Sequence, residues 1–451
     1  MEDNRYRFDV FYLNSFLYVE HPALKSTDNK SSIYYLMRFI PRIIYVVFKT
    51  VFRKGFYKNF SKLSRFSNQY KDKTLLISLT QNNRNAVRNL LPELYKRNEN
   101  VVELENVLSY DVAPVLRIFW EALIAFPRTY FGFKKQKPEL HHITGAYLID
   151  FFMTPGLVWF VDNILLKDTP KIVVLSNDHV NINRAIEYSC VEKGIKTLYI
   201  QHASVGDNYP KPCFTSCIFD GLDSLDKYDT SNTTPLVLGA MRYTELKANR
   251  LSENTKHLNS TIGIAVNVID SEELVRDLCL KIHHILPDYG IIIRAHPNMF
   301  RHPYSIDLSY VKYTNACDES ILSYFSKIDI LISNDSCIHL DAVEYGIKSY
   351  MMTLSNEGFT DQYSYTQKGF VEFISSDDDL QKSLSNLQKV VLTDPSIVRF
   401  YDESYMKSYE RFLPSLIAEF ICSGLDLEYM RVNYGLEIDY YKEREFFAIK
   451  N

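Results

Sequence analysis

Short apolar runs alternate with longer amphipathic segments from residue 74 to residue 375, and this alternation restricts the chain to few folds. The runs are rich in Ile, Leu and Val and are only a few residues long, which is typical of buried strands. The segments between them repeat their apolar residues with the period of a helix. Alternation of strand and helix predicts a parallel, doubly wound sheet with helices on both faces. The predicted strands lie in residues 74–79, 101–104, 171–176, 197–202, 216–220, 235–239, 261–266, 290–297, 309–314, 329–334, 349–354 and 370–375.

These strands form two sets, separated by a polar stretch at residues 245–260 that has the composition of a linker. A chain of 451 residues is long enough for two or three domains. We therefore predict an α/β protein with two Rossmann-like domains. The predicted division is a basic aromatic region (1–72), two Rossmann-like domains (73–240 and 241–385) and a helical tail that packs back on both (386–451).

Charge and cysteine content argue against several classes of protein. A net charge of −4 disfavours a dedicated DNA-binding protein, which needs a basic excess to contact phosphates. The seven cysteines are odd in number and scattered, which fits a reducing cytoplasm better than a disulfide framework. The first residues lack the order of a signal peptide, and no apolar run reaches the ~18 residues of a membrane span. The expected location is cytoplasmic.

A basic aromatic region precedes the first predicted strand. Residues 31–71 contain nine Lys or Arg and no acidic residue. Four of these cations, Arg38, Arg42, Lys49 and Arg53, fall within about 60° of one another on a helix. A second amphipathic segment, residues 113–137, also pairs a bulky apolar face with basic ends. Such helices bind the surface of anionic membranes, which predicts peripheral attachment at the inner face of the cytoplasmic membrane. The alternative is that both helices pack in the core and expose solvated basic faces.

Ligands of open parallel sheets bind at the carboxyl ends of the strands, so the residues that directly follow strands are the candidates. The predicted strand at 329–334 ends in Ser333, Asn334, Asp335 and Ser336, and a helix carrying Asp341 follows. Small polar residues at a helix start expose backbone N–H groups, which favours a phosphate there. Ordinary N-capping by Asp335 or Ser336 is the alternative.

The strand at 290–297 ends in Arg294, His296 and Pro297. Because proline fixes the backbone just past the strand, His296 is expected at the ligand edge of the sheet. A histidine there can donate a hydrogen bond to a phosphate and stabilise a leaving group. The alternative is a histidine that caps a turn.

The N-terminal set offers three more positions. His202 closes the strand at 197–202 and precedes a loop rich in Gly, Asn and Pro, so it is a candidate general base or phosphate donor. Asp178 and His179 follow the strand at 171–176, where Asp178 is either a base or a helix cap. Asn83 and Arg84 follow the first strand, and they and His179 are candidates for contact with an acceptor.

This order of motifs over residues 170–375 resembles the GT-B glycosyltransferases of bacterial capsule and lipopolysaccharide synthesis. The similarity is greatest to transferases of CMP-activated acidic sugars, such as Kdo and nonulosonic acids, and extends to the CDP-glycerol and CDP-ribitol phosphotransferases. The resemblance implies that His296 and Ser336 bind the nucleotide phosphate and that His202 serves as base or phosphate ligand. Asp341 stands where those families carry Glu. Ala203 replaces a glycine of their pattern, and Ala295 precedes the histidine.

The resemblance implies two Rossmann-like domains of GT-B type facing across a cleft, with the donor in the second. No P-loop, dinucleotide-binding Gly pattern or zinc spacing occurs, so a metal-independent transferase without a cofactor is predicted. Its partners would be a nucleotide-sugar donor, a glycan or glycolipid acceptor and an anionic membrane, with no nucleic acid. Asp178 and His202 both remain candidates for the base.

Four other functions fit the same residues. They are CDP-glycerol or CDP-ribitol phosphotransfer, transfer from a UDP-sugar, sugar-nucleotide 2-epimerisation, and a scaffold that has lost activity.

Overall fold

The computed structural model describes residues 70–104, 117–125, 127, 143–206, 209, 211–250, 259–296, 299, 304, 306–385, 387 and 393–449. The stripe at residues 38–53, most of the second amphipathic segment, and Pro297 lie outside these ranges, so their predicted roles stay predictions. All twelve predicted apolar runs contain a strand.

The N-terminal sheet contains eight strands among the described residues, in the order β13-β14-β6-β5-β4-β3-β1-β2. All neighbours are parallel except the hairpin of β13 and β14. Residues of β1, β3 and β5 are fully buried, because helices cover both faces of the sheet. The strands are β1 Thr74–Ile77, β2 Val101–Leu104, β3 Ile172–Leu175, β4 Lys196–Ile200, β5 Ser216–Phe219, β6 Thr234–Val237, β13 Leu436–Tyr441 and β14 Arg444–Ile449.

In the described part of the chain, the C-terminal sheet has six strands, all parallel, in the order β12-β11-β10-β7-β8-β9. The strands are β7 Thr261–Val266, β8 Gly290–Ala295, β9 Val311–Asn315, β10 Ile330–Ser333, β11 Lys348–Met352 and β12 Glu372–Ile374.

The described helices follow the strands as the sequence pattern predicts. They are α1 Gln81–Val87, α2 Leu90–Lys96, α3 Ile143–Phe160, α4 Asn181–Lys193, α5 Leu222–Lys227, α6 Thr244–Ala248, α7 Glu272–Ile285, α8 Ile321–Phe325, α9 Ile338–Tyr345, α10 Asp377–Ser385, α11 Pro395–Tyr401, α12 Leu413–Cys422 and α13 Leu427–Tyr434. On the N-terminal sheet, α3 and α4 cover one face, and α1, α2 and α12 cover the other. On the C-terminal sheet, α7 and α10 cover one face, and α8, α9 and α11 cover the other.

Each sheet has one place where the strand order reverses. In the N-terminal sheet β1 lies between β2 and β3, and in the C-terminal sheet β7 lies between β8 and β10. Loops that leave neighbouring strands in opposite directions open a crevice, which is where open parallel sheets bind ligands. The predicted α/β class with two Rossmann-like domains is confirmed.

The chain after α10 returns to the N-terminal domain. α12 packs on α2, where Arg97 Nε donates to Glu419 Oε1 at 2.6 Å and Nη2 donates to Ser415 Oγ at 2.7 Å. The prediction of a helical tail is wrong for its last part, because β13 and β14 form a hairpin that extends the N-terminal sheet. Lys442 and Glu443 both have positive φ, which is typical of a two-residue type I′ turn. The alternation of charged and apolar residues at 437–440 is the signal that marks this strand.

The start of the predicted linker is not solvated either. Residues 244–248 form α6, whose Lys247 is buried and pairs with Asp402 at 2.6 Å. Gly239 precedes it with φ of 109°, and a side chain there would overlap Ser404. The described start of the segment that joins the two domains is therefore held against the returning chain.

Candidate functional site

Ser333 and Asn334 end β10 at the reversal point of the C-terminal sheet. Ser333 Oγ donates to the carbonyl of Ala265 on β7 at 2.8 Å. Asn334 Nδ2 donates to Asp270 Oδ1 at 2.8 Å, and the Asn334 carbonyl lies 2.9 Å from Nε2 of the buried His339. Both side chains are buried and hydrogen-bonded inside the domain, so they shape the loop instead of offering polar atoms to a ligand. No sequence pattern indicated a role for His339, because that role is its contact with the carbonyl of Asn334 in the loop before α9.

Asp335 and Ser336 continue from β10 into the start of α9 and are half-buried. Asp335 Oδ2 accepts a hydrogen bond from the Gln362 amide at 2.6 Å, and burial raises the pKa of Asp335. Ser336 Oγ lies 3.5 Å from the amide of Ile338, a weak cap. Asp335 and Ser336 therefore place small polar residues, as a phosphate site needs, just before α9 at the carboxyl edge of the sheet.

Arg294 on β8 has an incomplete set of partners. The residue is only 6% exposed; Nη2 donates to the carbonyl of Glu319 at 2.9 Å, and the guanidinium lies 5.2 Å from the ring centroid of Tyr324. Nη1 is buried without a hydrogen-bond partner, and no carboxylate among the described residues forms an ion pair with this guanidinium. Burial lowers the pKa of Arg294. A buried cation in this state is a candidate for binding an anion.

His296 and Asp341 complete the C-terminal side. The amide of His296 donates to the carbonyl of Val266 at 3.1 Å, and burial lowers the pKa of its half-buried side chain. Burial raises the pKa of Asp341, opposed by the charges of Arg242 and Arg294. Asp341 thus lies within the electrostatic reach of both arginines.

Arg242 was missed by the sequence analysis. It follows β6, donates to Asp220 Oδ2, and lies 4.4 Å from the ring centroid of Tyr243. Its charge acts on His202 in the N-terminal domain and on Asp341 in the C-terminal domain. Arg242 follows a strand, as the predicted site residues do, so the same criterion could have selected it.

Asn83 is buried and has a structural role instead of the predicted contact with an acceptor. Its side chain donates to the Ser176 carbonyl at 3.1 Å, and Ser176 Oγ donates back to the Asn83 carbonyl at 3.2 Å. Asn83 also forms a capping box with Thr80 at the start of α1. These bonds join the loops after β1 and β3. Arg84, the next residue, is half-buried.

Asp178, His179 and His202 come together at the edge of the N-terminal sheet. Asp178 Oδ1 lies 3.1 Å from His179 Nδ1, and Oδ2 accepts a hydrogen bond from the hydroxyl of Tyr228. The rings of His179 and His202 stack with centroids 6.0 Å apart, and Tyr209 meets the His179 ring edge-on. The three predicted residues therefore form one cluster.

Burial dominates the electrostatics of this cluster. It lowers the pKa of His202 to about 4, although the charge of Asp178 acts in the opposite direction. Burial alone would raise the pKa of Asp178, but the hydrogen bond and charge of His179, together with the Tyr228 hydroxyl, outweigh it and lower this pKa. The carboxylate is therefore charged and His202 is neutral near pH 7.

Loops from the two domains meet beside these residues. Ser204 Oγ lies 2.8 Å from the hydroxyl of Tyr365, and a side chain on Gly206 would approach Gln362 to 2.5 Å. Lys227 donates to the Val205 carbonyl at 2.7 Å and lies 5.9 Å from the ring of Tyr363. The crevices of the two sheets thus border one cleft.

Two further properties concern the described residues only. Within the ranges given above, no cluster of three His, Cys, Asp or Glu has the geometry to hold a metal ion. None of the helices in that part of the chain is both long enough and apolar enough to span a membrane.

No protein family matches the chain, and no curated protein sequence matches it. Similar structures do exist. A putative UDP-N-acetylglucosamine 2-epimerase from Listeria monocytogenes has 11% identity and a TM-score of 0.50, with 79% of this chain and 97% of that chain covered. The glycotransferase of kitacinnamycin has 11% identity and a TM-score of 0.49, covering 79% and 100%. A UDP-GlcNAc 2-epimerase from Neisseria meningitidis, bound to UDP-GlcNAc, has 13% identity and a TM-score of 0.49, covering 78% and 100%.

Similarity at this level of identity concerns the fold alone. Together with the two parallel sheets, the shared cleft and the returning C-terminal chain, it establishes the GT-B arrangement that the resemblance implied. The narrower resemblance to transferases of CMP-activated acidic sugars stays a prediction.

Proposed function

We propose that this protein is a glycosyltransferase that binds a nucleotide-sugar at the C-terminal crevice and transfers the sugar to a hydroxyl group held by the N-terminal domain. The observation that carries the proposal is the buried Arg294, whose Nη1 has no partner at the ligand edge of the sheet. A buried charge with one unpartnered donor costs about 1–3 kcal/mol unless a ligand supplies the missing partner. The diphosphate of a nucleotide-sugar is a suitable anion for it.

The first turn of α9 supports the same assignment. Ser336 lies just before the start of α9 at the crevice, where the helix dipole favours an anion. His296 at the end of β8 supplies a further donor. These groups can neutralise the departing phosphate, and we propose that the reaction requires no metal ion. Turnover should then be unaffected by a chelator.

The nature of the nucleotide is the finer part of the proposal. Two of the similar structures are UDP-GlcNAc enzymes by name, one of them with bound UDP-GlcNAc, which favours a UDP-sugar over a CMP-activated sugar. CMP-activated Kdo or nonulosonic acid, for a capsule or lipopolysaccharide glycan, is the choice favoured by the sequence motifs. CDP-glycerol or CDP-ribitol phosphotransfer is a third possibility, because it uses the same cytidine site.

A 2-epimerase is a second candidate function, favoured by the names of those two structures. An epimerase returns a changed nucleotide-sugar, whereas a transferase releases the nucleotide. Thermal unfolding of the purified protein with UDP, CDP and CMP first shows which nucleobase and how many phosphates give the largest stabilisation. Incubation with the matching nucleotide-sugar and chromatography then separate free nucleotide from an epimer. Stabilisation by none of the three nucleotides would contradict both functions.

We also propose that the acceptor is presented at an anionic membrane surface. In the described helix at 117–125, Ile118 and Ala122 are buried, whereas Trp120, Leu123 and Ile124 are exposed along one face. Tight packing fixes the buried side, since a side chain on Gly156 of α3 would overlap the Ile118 carbonyl. Residues 128–137, next in sequence, contain four Lys or Arg and no acidic residue, which suits anionic lipid.

Vesicle sedimentation tests the membrane proposal. The full-length protein should bind vesicles with anionic lipid and bind neutral vesicles more weakly. Replacing Trp120, Leu123 and Ile124 by Gln should reduce binding at every salt concentration, because it removes apolar burial. Replacing Arg38, Arg42, Lys49 and Arg53 by Glu should remove the salt-sensitive part. Equal partitioning of wild type and both variants would refute the proposal.

A further inference from the structure

Both oxygens of the Asp178 carboxylate have partners inside the protein. Its side chain has no exposed surface; Oδ1 faces His179 Nδ1 at 3.1 Å, and Oδ2 accepts a hydrogen bond from the Tyr228 hydroxyl. An acceptor hydroxyl in the cleft cannot reach either oxygen without displacing one of these partners. Asp178, one of the two base candidates from the sequence, is therefore badly placed to take a proton directly.

His202, the other candidate, is a poor base for a different reason. Its Nδ1 is buried without a partner, and burial lowers its pKa to about 4, so the ring holds a proton weakly. General bases work best when their pKa lies near the operating pH. The neutral ring instead stacks against His179.

His179 contacts both of these residues and is partly exposed. Its side chain is 23% exposed, and its Nδ1 faces the charged Asp178. The backbone is fixed as well, since Asn177 Oδ1 accepts hydrogen bonds from the amides of His179 at 3.2 Å and Val180 at 2.9 Å. A carboxylate at Nδ1 selects the tautomer with its proton on that atom, which leaves Nε2 as a hydrogen-bond acceptor.

We propose that His179 is the general base of the transfer and that Asp178 is its positioning residue. This inference rests on the proposed function. The acceptor hydroxyl would give its proton to His179 Nε2 as its oxygen bonds to the anomeric carbon. The bond from that carbon to the phosphate oxygen breaks, and its electron pair leaves with the nucleotide. Asp178 stabilises the resulting imidazolium, as a carboxylate does in other His–Asp pairs.

The charged and titratable groups around His179 favour this role. Asp178 and Tyr228 lie beneath it, and His202 and Tyr209 contact its ring. Asp178 is the one carboxylate among these neighbours, so a positive charge on His179 has a direct counter-ion. Arg242 lies farther away, where its charge acts on His202.

The test uses the full-length protein and the nucleotide-sugar that the panel above identifies, with release of free nucleotide as the measure of turnover. His179→Ala should reduce turnover by about 100-fold or more, the usual contribution of a general base. Added imidazole should restore part of the rate in this variant, because it fills the space left by the ring. Asp178→Asn should also lower turnover, and imidazole should not restore it. His284→Ala, on the exposed face of α7, is the matched control and should behave as wild type.

Nucleotide binding distinguishes a failure of the base assignment from a failure of the proposed function. His179→Ala should keep the thermal stabilisation by free nucleotide and should lose the acid limb of the wild-type profile of rate against pH. Normal turnover in His179→Ala would overturn the base assignment and leave the proposed function intact. A lowered rate that imidazole does not change, with the acid limb retained, would also overturn it. Absence of nucleotide binding by wild type would overturn both.

Discussion

Replacing Arg294 by Met separates a ligand-binding arginine from a structural one. The substitution removes a buried cation with an unpartnered Nη1, and burying such a group costs about 1–3 kcal/mol. It also removes the bond to the Glu319 carbonyl and the contact with Tyr324, which together stabilise by about 2–3 kcal/mol. These effects nearly cancel, and methionine adds apolar burial. We expect the free energy of unfolding of the ligand-free protein to stay within about 1 kcal/mol of wild type, or to rise.

The same substitution should weaken nucleotide binding strongly. A charge-assisted hydrogen bond to phosphate contributes about 1.5–3 kcal/mol, so the affinity for the bound nucleotide should fall by about 10- to 150-fold. Urea denaturation measures the first quantity and isothermal titration calorimetry the second. The reasoning is refuted if the variant loses more than about 2 kcal/mol of stability while its nucleotide affinity is unchanged.

Arg250→Met is the matched control, since Arg250 is also partly buried but fully paired. Its Nη2 contacts Glu344 at 3.1 Å and Glu410 at 2.8 Å. Removing it leaves carboxyl groups without their partner, which should lower the free energy of unfolding by about 3 kcal/mol. Nucleotide affinity should not change. The two arginines should thus give opposite results in the two measurements.

Three other predictions follow from the contacts. Lys247→Met should lower the free energy of unfolding by about 3–5 kcal/mol, because it leaves the buried Asp402 carboxylate without its ion-pair partner. Adding Asp402→Asn should recover part of the loss in urea denaturation, because it removes the charge and keeps an acceptor for the amides of Ala240 and Ser404. Burial lowers the pKa of His202 and His339 to about 4 each, so these two histidines bind more protons in the unfolded chain than in the folded one between pH 4 and 6.5 and should lower stability as pH falls through this window. Glu187 and Asp220, whose pKa burial raises to about 7, act in the opposite direction. Stability measured by urea should therefore fall less, or rise more, on acidification in His339→Gln than in wild type, and an identical pH dependence of the two proteins would contradict the prediction. Gly206→Val should overlap Gln362 and lower turnover in the nucleotide-release assay. Adding Gln362→Ala should relieve the overlap and restore turnover. If turnover is not restored, the loss does not arise from this contact.

The sequence was sufficient to predict the strands and the residues that follow their carboxyl ends. Apolar runs of this length in alternation with helices leave few arrangements, and each of them became a strand. The C-terminal hairpin was missed because its exposed strand β13 lacks the apolar run that marks the buried strands. Position after a strand selected Arg294, Asp178, His179 and His202, and the structure places all four at the carboxyl ends of strands.

The roles of individual side chains were harder to predict, because they depend on contacts between distant parts of the chain. Ser333, Asn334 and Asn83 lie near the carboxyl edges of the sheets, yet each is buried and hydrogen-bonded to a neighbouring strand or loop. Asp178 was assigned as a possible base, and its burial beneath Tyr228 could not be read from residues 50 positions apart. Packing, and not the position of a residue in the sequence, decides which of two neighbouring polar side chains faces the cleft.

The most direct test of the account is a crystal structure of the protein soaked with UDP, or with CMP if that nucleotide gives the larger thermal stabilisation. We predict that a phosphate oxygen lies within hydrogen-bond distance of Arg294 Nη1 and that another faces the backbone amides at the start of α9. A nucleotide bound elsewhere, with Nη1 of Arg294 still without a partner, would contradict the account.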